Sequence, residues 1–177
     1  MATEIERKYL IRENGQDFQT NKLSQLYPSF VDLYNAIRES GTSTFQGYLS
    51  VEAGMDLSSS LAVPVGFKPN EARLRDQGGD LYFTLKGHGD LERDEFEAII
   101  IADLFYKYWP QTNGSRIYKS RLSQAYQGLT LELDLYYDRE LITAEVEFKT
   151  AQEANNFEAL GLDVTFNPKY KNRNLAG

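Results

Sequence analysis

Eight stretches of this chain keep the two-residue rhythm of a β-strand, and seven of them put ionisable side chains at alternate positions with apolar ones between. They are roughly residues 3–11, 44–51, 70–77, 80–87, 93–101, 115–122, 129–137 and 142–149. Side chains two apart on a strand share a face, about 6.5–7 Å apart. One face therefore carries Glu4, Glu6 and Lys8, then Arg73 and Arg75, Thr84 and Lys86, and Glu95 and Glu97; it continues with Lys119 and Arg121, Glu132 and Asp134, and Glu145 and Glu147. The other carries Ile5 and Tyr9, Ala72 and Leu74, Phe83 and Leu85, Phe96 and Ala98, Tyr118 and Leu122, Leu131 to Leu135, and Ala144, Val146 and Phe148.

One such pair alone reads as a solvated sheet face with cross-strand ion pairs, each worth little. The collective pattern asks for more. An open sheet can keep one face on helices and one in water, but a watered face usually mixes Thr, Ser and Gln with its Lys. These stretches use short carboxylates and Arg with few neutral fillers. Eight antiparallel strands also suffice to close a small barrel. The expected fold is α+β, mainly β: one domain over residues 1–177, a closed eight-stranded antiparallel barrel with a charged lumen and a few helices packed outside. Such a lumen is costly unless its charges are paired, hydrated or neutralised by a ligand.

Punctuation supports the strand reading. Gly78-Gly79 is a two-residue hairpin signal, and GHGD at 87–90 and YQG at 126–128 turn the chain again. Helices are expected at 29–40, after Pro28 and before Gly41; at 102–109, stopped by Pro110; and at 150–160, with Thr150 as N-cap, Glu153 three residues on and Gly161 at the end. Residues 52–69 show no clear period and read as a long loop.

The length, 177 residues, suits one domain with a proper core, and 41% hydrophobic and 25% charged residues are ordinary for a globular chain. A net charge of −7 argues against nucleic acid as a partner. No segment is apolar enough to span a bilayer, so no membrane association is expected. The polar N-terminus lacks a secretory signal, and without Cys there is no disulfide or thiolate metal site; cytoplasm is the expected compartment. Apolar strand faces outside a barrel make a homodimer conceivable.

The charged face indicates its ligand. Arg and Lys at fixed geometry suit phosphate oxygens, Arg through two parallel bonds and Lys as a point charge. Clustered Asp and Glu without His or Cys suit hard cations such as Mg2+ or Mn2+. A wall offering both fits a metal–polyphosphate complex. His88 in its GHG turn reads as structural or solvated, Trp109 as packing, and Lys169 and Lys171 either as a solvated tail or as a lid.

With these residues assembled, the chain resembles the CYTH superfamily, the triphosphate tunnel metalloenzymes. The resemblance rests on E-x-E-x-K at Glu4–Lys8, R-x-R at Arg73/Arg75, Lys86 in FTLKG, and E-x-E at Glu95/Glu97. It extends through K-x-R at Lys119/Arg121, E-x-D at Glu132/Asp134, E-x-E at Glu145/Glu147 and the ending FNPKYKNRNLA. EIERKYL, QGYL (46–49), WPQTNGSR (109–116) and KYKNRNLA look most like the short bacterial inorganic tripolyphosphatases. The resemblance implies an eight-stranded tunnel that hydrolyses inorganic tripolyphosphate, or another organic triphosphate, with one or two Mg2+ or Mn2+. Lys8, Arg73, Arg75, Lys86, Lys119 and Arg121 would hold phosphate, with Lys169 or Lys171 near the mouth. Glu4, Glu6, Glu95, Glu97, Glu132, Asp134, Glu145 and Glu147 would supply metal ligands. Glu4, Glu6, Lys8 and Lys119 would carry catalysis, with Glu4 or Glu6 as general base. Thiamine triphosphatase, nucleoside triphosphatase, class IV adenylate cyclase and a non-catalytic polyphosphate-binding module are the alternatives.

Overall fold

The Gly78-Gly79 pair takes positive φ at both positions, 62° and 97°, the backbone that a tight hairpin turn demands and that a side chain resists. It fixes the register of the two strands it joins, with Gln77 facing Asp80. The computed structural model describes residues 2–177. In chain order the elements are β1 (Ala2–Glu13), β2 (Gln16–Asp17), α1 (Asn21–Ser24), α2 (Phe30–Ser40), β3 (Thr42–Leu49), α3 (Val51–Ser58), β4 (Glu71–Gln77), β5 (Asp80–Lys86) and β6 (Glu92–Ile99). There follow α4 (Ala102–Tyr108), a 3-10 turn at Trp109–Thr112, β7 (Arg116–Tyr126), β8 (Leu129–Tyr136), β9 (Leu141–Phe148), α5 (Ala151–Asn156), β10 (Leu162–Asp163), a second 3-10 turn at Pro168–Tyr170 and α6 (Asn172–Leu175).

The hydrogen-bonded order is β10-β1-β6-β5-β4-β3-β7-β8-β9, and β1 also pairs antiparallel with β9. The eight long strands thus form a closed antiparallel barrel, as the strand count requires. Burial agrees with closure. Residues Leu141–Val146 of β9 are buried without a break, as are Glu71–Leu74 of β4 and Phe83–Lys86 of β5. A sheet with one face in water would alternate buried and exposed residues instead.

The chain divides into two compact units, residues 2–4, 44–117 and 168–177 in the first and residues 5–43 and 118–167 in the second. In the first, Leu57 of α3 and Phe105 and Tyr108 of α4 pack with Leu74, Phe83 and Leu85 of β4 and β5. In the second, α2 lies against β8, burying Leu33 and Ile37 completely. Ser29 caps α2 by accepting from Asp32 N, and the helix stops where Gly41 N–H donates to Ile37 O.

Three local expectations change. The stretch 52–69 is not all loop, because it opens on α3. Ser50 caps that helix by accepting from Ala53 N at 3.1 Å, and its packing face includes Gly54, which adds no apolar signal to the sequence. The α5 helix ends at Asn156 rather than near residue 160. Phe157 leaves it in extended backbone to pack beside Tyr9, Tyr126 and Phe148. Tyr118, placed on the apolar face, is 37% exposed and stacks beside Tyr137, ring centroids 4.7 Å apart.

The fit at Gly54 is tight enough to test. A Cβ there would stand 2.4 Å from the Ala72 Cβ. Ala is the better helix former by about 1 kcal/mol, but overpacking costs about 1–3 kcal/mol, and so close an overlap lies at the upper end. Gly54→Ala is expected to lower Tm by about 2–8 °C. A thermal melt showing an unchanged or raised Tm would remove α3 from its place against β4.

Candidate active site

In the first unit the charged side chains form two connected groups. Lys86 on β5 reaches Glu4 at 2.9 Å and Glu95 at 3.5 Å. Arg93 joins from β6 at 3.7 Å from both Glu4 and Glu71. Burial alone would raise the Glu4 carboxyl, but Lys86, a hydrogen bond with Glu95 and Arg93 together bring it down to about 2. Glu95 goes the other way: burial and then the charge of Glu4 push it up to about 7. The two carboxylates crowd each other, a repulsion that a bound cation would relieve.

The second group surrounds a guanidinium pair. Arg73 Nη2 donates to Thr84 Oγ1 at 3.2 Å and lies 3.4 Å from Glu97, which Arg75 shares at 3.6 Å. Thr84 also donates to Glu97 at 2.8 Å. Arg73 is 7% exposed, yet its Nε has no hydrogen-bond acceptor. Register sets Gln46 opposite Arg75 and Tyr48 opposite Arg73, and the Gln46 amide donates to the Tyr48 hydroxyl at 2.8 Å.

In the second unit Asp134 is wholly buried and receives three charged bonds. Arg121 approaches with two nitrogens at 2.7 and 2.8 Å, and Lys119 adds a third bond at 2.8 Å. Lys119 is also wholly buried; burial, only partly opposed by Asp134, lowers its ammonium to about 7. Glu145 lies 3.5 Å from Arg121 and 3.7 Å from Lys8. On the same sheet Glu6 faces Glu147, and Glu132 faces Glu145. Like charges directly opposite repel, and Arg121 and Lys8 beside Glu145 offset part of that charge. Among the described residues no three carboxylates gather into a metal cage.

A protein of Nitrosomonas europaea named inorganic triphosphatase is 38% identical over 112 residues, which span 60% of this chain and 74% of that protein. The chain belongs to the inorganic triphosphatase family. A crystal structure of an inorganic triphosphatase matches with a TM-score of 0.54 at 28% identity, covering 99% of this chain and 95% of that one. A second, described as a hypothetical protein, matches at 0.53 and 28%, covering 98% and 96%. No family model matches.

Within this triphosphatase-family chain, the expected residues fall into the groups just described. Glu4, Arg73, Arg75, Lys86, Glu95 and Glu97 belong to the first unit; Glu6, Lys8, Lys119, Arg121, Glu132, Asp134, Glu145 and Glu147 belong to the second. Asp134, with both oxygens bonded to cations and no exposed surface, is built into the wall. Glu132 accepts from Ser123 at 2.5 Å. Of the C-terminal lysines, Lys169 is exposed with its ammonium over the Tyr170 ring, while Lys171 pairs with Asp90 and donates to Gly89 O at 3.2 Å. That tail is fastened down, since Arg173 also donates to Asn70 O at 2.8 Å. Sequence reading passed over Glu71 and Arg93, although each lies two residues before a charge on the same face. Gln46 and Tyr48, which carry no charge to count, enter the sequence reading only as part of QGYL, with no role attached.

Proposed function

We propose that this protein is a CYTH-type phosphohydrolase that cleaves inorganic tripolyphosphate to pyrophosphate and orthophosphate. The observation that carries this reading is Arg73, a buried guanidinium whose Nε has no acceptor: within an inorganic triphosphatase family, such a donor is made for a phosphate oxygen. In the proposed reaction Arg73, Arg75 and Lys86, with Lys8, Lys119 and Arg121, hold phosphate oxygens and offset charge developing in the transition state. Water oxygen bonds to phosphorus, the bridging P–O bond breaks toward pyrophosphate, and the water proton passes to a β1 carboxylate. Glu4 or Glu6 takes that role; Glu4 Oε1 also accepts from Lys86 at 2.9 Å.

The acidic residues fit a divalent cation. They come in pairs rather than in a closed cage, and Mg2+ is usually held by one or two carboxylates plus substrate phosphates. Glu147 with Glu145, and Glu95 with Glu4, are the pairs that would hold Mg2+ or Mn2+, which supplies charge neutralisation on the phosphate oxygens when bound.

The test is phosphate release from tripolyphosphate, ATP and thiamine triphosphate, each with Mg2+, Mn2+ or EDTA. Tripolyphosphate is expected to be the best substrate, with turnover at least ~100-fold lower in EDTA. Faster release from ATP or thiamine triphosphate reassigns the substrate, and no release from any of them leaves only a binding module.

A further inference from the structure

The arginine pair of the first unit has a neutral neighbour that fits a bare polyanion poorly. Gln46 is fully buried, and its Nε2 is committed to the Tyr48 hydroxyl at 2.8 Å. Its Oε1 is buried with no donor. Gln46 belongs to the same sheet face as Arg75, directly across the β3–β4 pair, and is one diagonal step from Arg73. Two adjoining strands thus bury a donor without an acceptor, Arg73 Nε, and an acceptor without a donor, Gln46 Oε1. Leaving either unmet is costly. A fully ionised phosphate oxygen satisfies the arginine but meets the Gln46 carbonyl lone pair against lone pair. A phosphate bearing one hydroxyl satisfies both: a P–O− accepts from Arg73 while the P–OH donates to Gln46.

We propose that Gln46 makes this site selective for a terminal phosphate in its singly protonated form. The inference rests on the triphosphatase reading above and adds which form of the substrate is taken. Tyr48 supports it by fixing which end of the amide faces the arginines. Burial and the nearby Glu71 push its hydroxyl up to about 12, so it remains a neutral phenol as an anchor.

The experiment compares Gln46→Met, which keeps length but removes the acceptor, with the wild type across pH 5.5–8.5, using tripolyphosphate and saturating Mg2+. Phosphate groups lose their last proton near pH 6. The ratio of variant to wild-type KM is therefore expected to be about tenfold at the acid end and to narrow toward one at the alkaline end, with kcat changed less. Taking the ratio cancels titrations that both proteins share. Should Gln46→Met fold poorly in a thermal melt, Tyr48→Phe, which releases the amide, is expected to shift the ratio in the same direction by a smaller factor. A ratio that is flat with pH overturns the inference, because an amide donating to a phosphate oxygen would give that result. A fall in kcat at unchanged KM also overturns it, since the carbonyl would then be holding the attacking water. In either case wild-type turnover leaves the triphosphatase reading standing. If the wild type neither turns over tripolyphosphate nor binds it by calorimetry at pH 5.5, both fall.

Discussion

Asp134→Ala is expected to cost about 3–5 kcal/mol of stability and to lower Tm by about 6–20 °C. Asp134 and Lys119 are both fully buried, and Arg121 commits two nitrogens to the same carboxylate. Removing the anion takes this carboxylate from the fully buried Lys119 ammonium and both close bonds from Arg121, which keeps Glu145 at 3.5 Å. Lys119 can escape by losing its proton, since burial already lowers it to about 7; the arginine cannot. This asymmetry gives the variant a pH signature. Without Asp134 the folded ammonium titrates lower still, while the unfolded chain keeps its proton to about 10.5. Below pH 7 the wild type carries that proton in both states, whereas the variant sheds it on folding. The unfolded variant then binds more protons, so its stability rises with pH. The gap to wild type should therefore shrink from pH 5 to about 7 and stay level above. Denaturant melts at pH 5, 6 and 8.5 measure it. A loss below about 1 kcal/mol, or a gap that widens with pH, would mean the cluster is better hydrated than its burial implies.

The strand framework was readable in the sequence because strand periodicity is two and the two alternate sets differ in charge, so Glu4/Glu6/Lys8 and Leu131/Leu133/Leu135 declared their faces unaided. What could not be read has physical reasons. The α3 helix packs through Gly54, whose value lies in the side chain it lacks. The end of α5 was set by the demand of Tyr9, Tyr126 and Phe148 for Phe157, a tertiary pull that no local propensity encodes. Within the site, residue type identified the charged positions but not their partners. Acid-x-acid spacing makes Asp134 and Glu147 look alike, yet one is fully buried with its oxygens taken by Lys119 and Arg121, and the other is exposed and faces Glu6. A charge tally is also blind to neutral groups, so Gln46 and Tyr48, quoted from the sequence only within QGYL, gain a place in the site when register sets them against Arg75 and Arg73.

Arg73→Met should move activity and stability in opposite directions. With tripolyphosphate, kcat/KM is expected to fall at least ~100-fold, the scale of losing a fixed donor at a developing phosphate charge. Stability is expected to hold within about 1 kcal/mol or to rise. The reason is how loosely this guanidinium is bonded for its depth: hydrogen bonds of 3.2 Å to Thr84 and 3.4 Å to Glu97, a carboxylate that Arg75 shares, and an Nε with no acceptor. Burying a charge on those terms costs the fold more than a thioether of similar reach would. Arg73→Lys should not restore turnover, because an ammonium has neither the Nε donor nor the fork that meets two phosphate oxygens at once. Phosphate-release kinetics and thermal melts of the two variants settle the matter together. Near-wild-type turnover would remove Arg73 from the reaction, and a loss above about 3 kcal/mol would make it a cation on which the fold depends. Asp134 and Arg73 lie on charged strand faces of the same chemical type, but only at Asp134 are the charges already satisfied. Arg73 Nε, which folding leaves without an acceptor, is therefore the donor expected to matter more to substrate than to the fold.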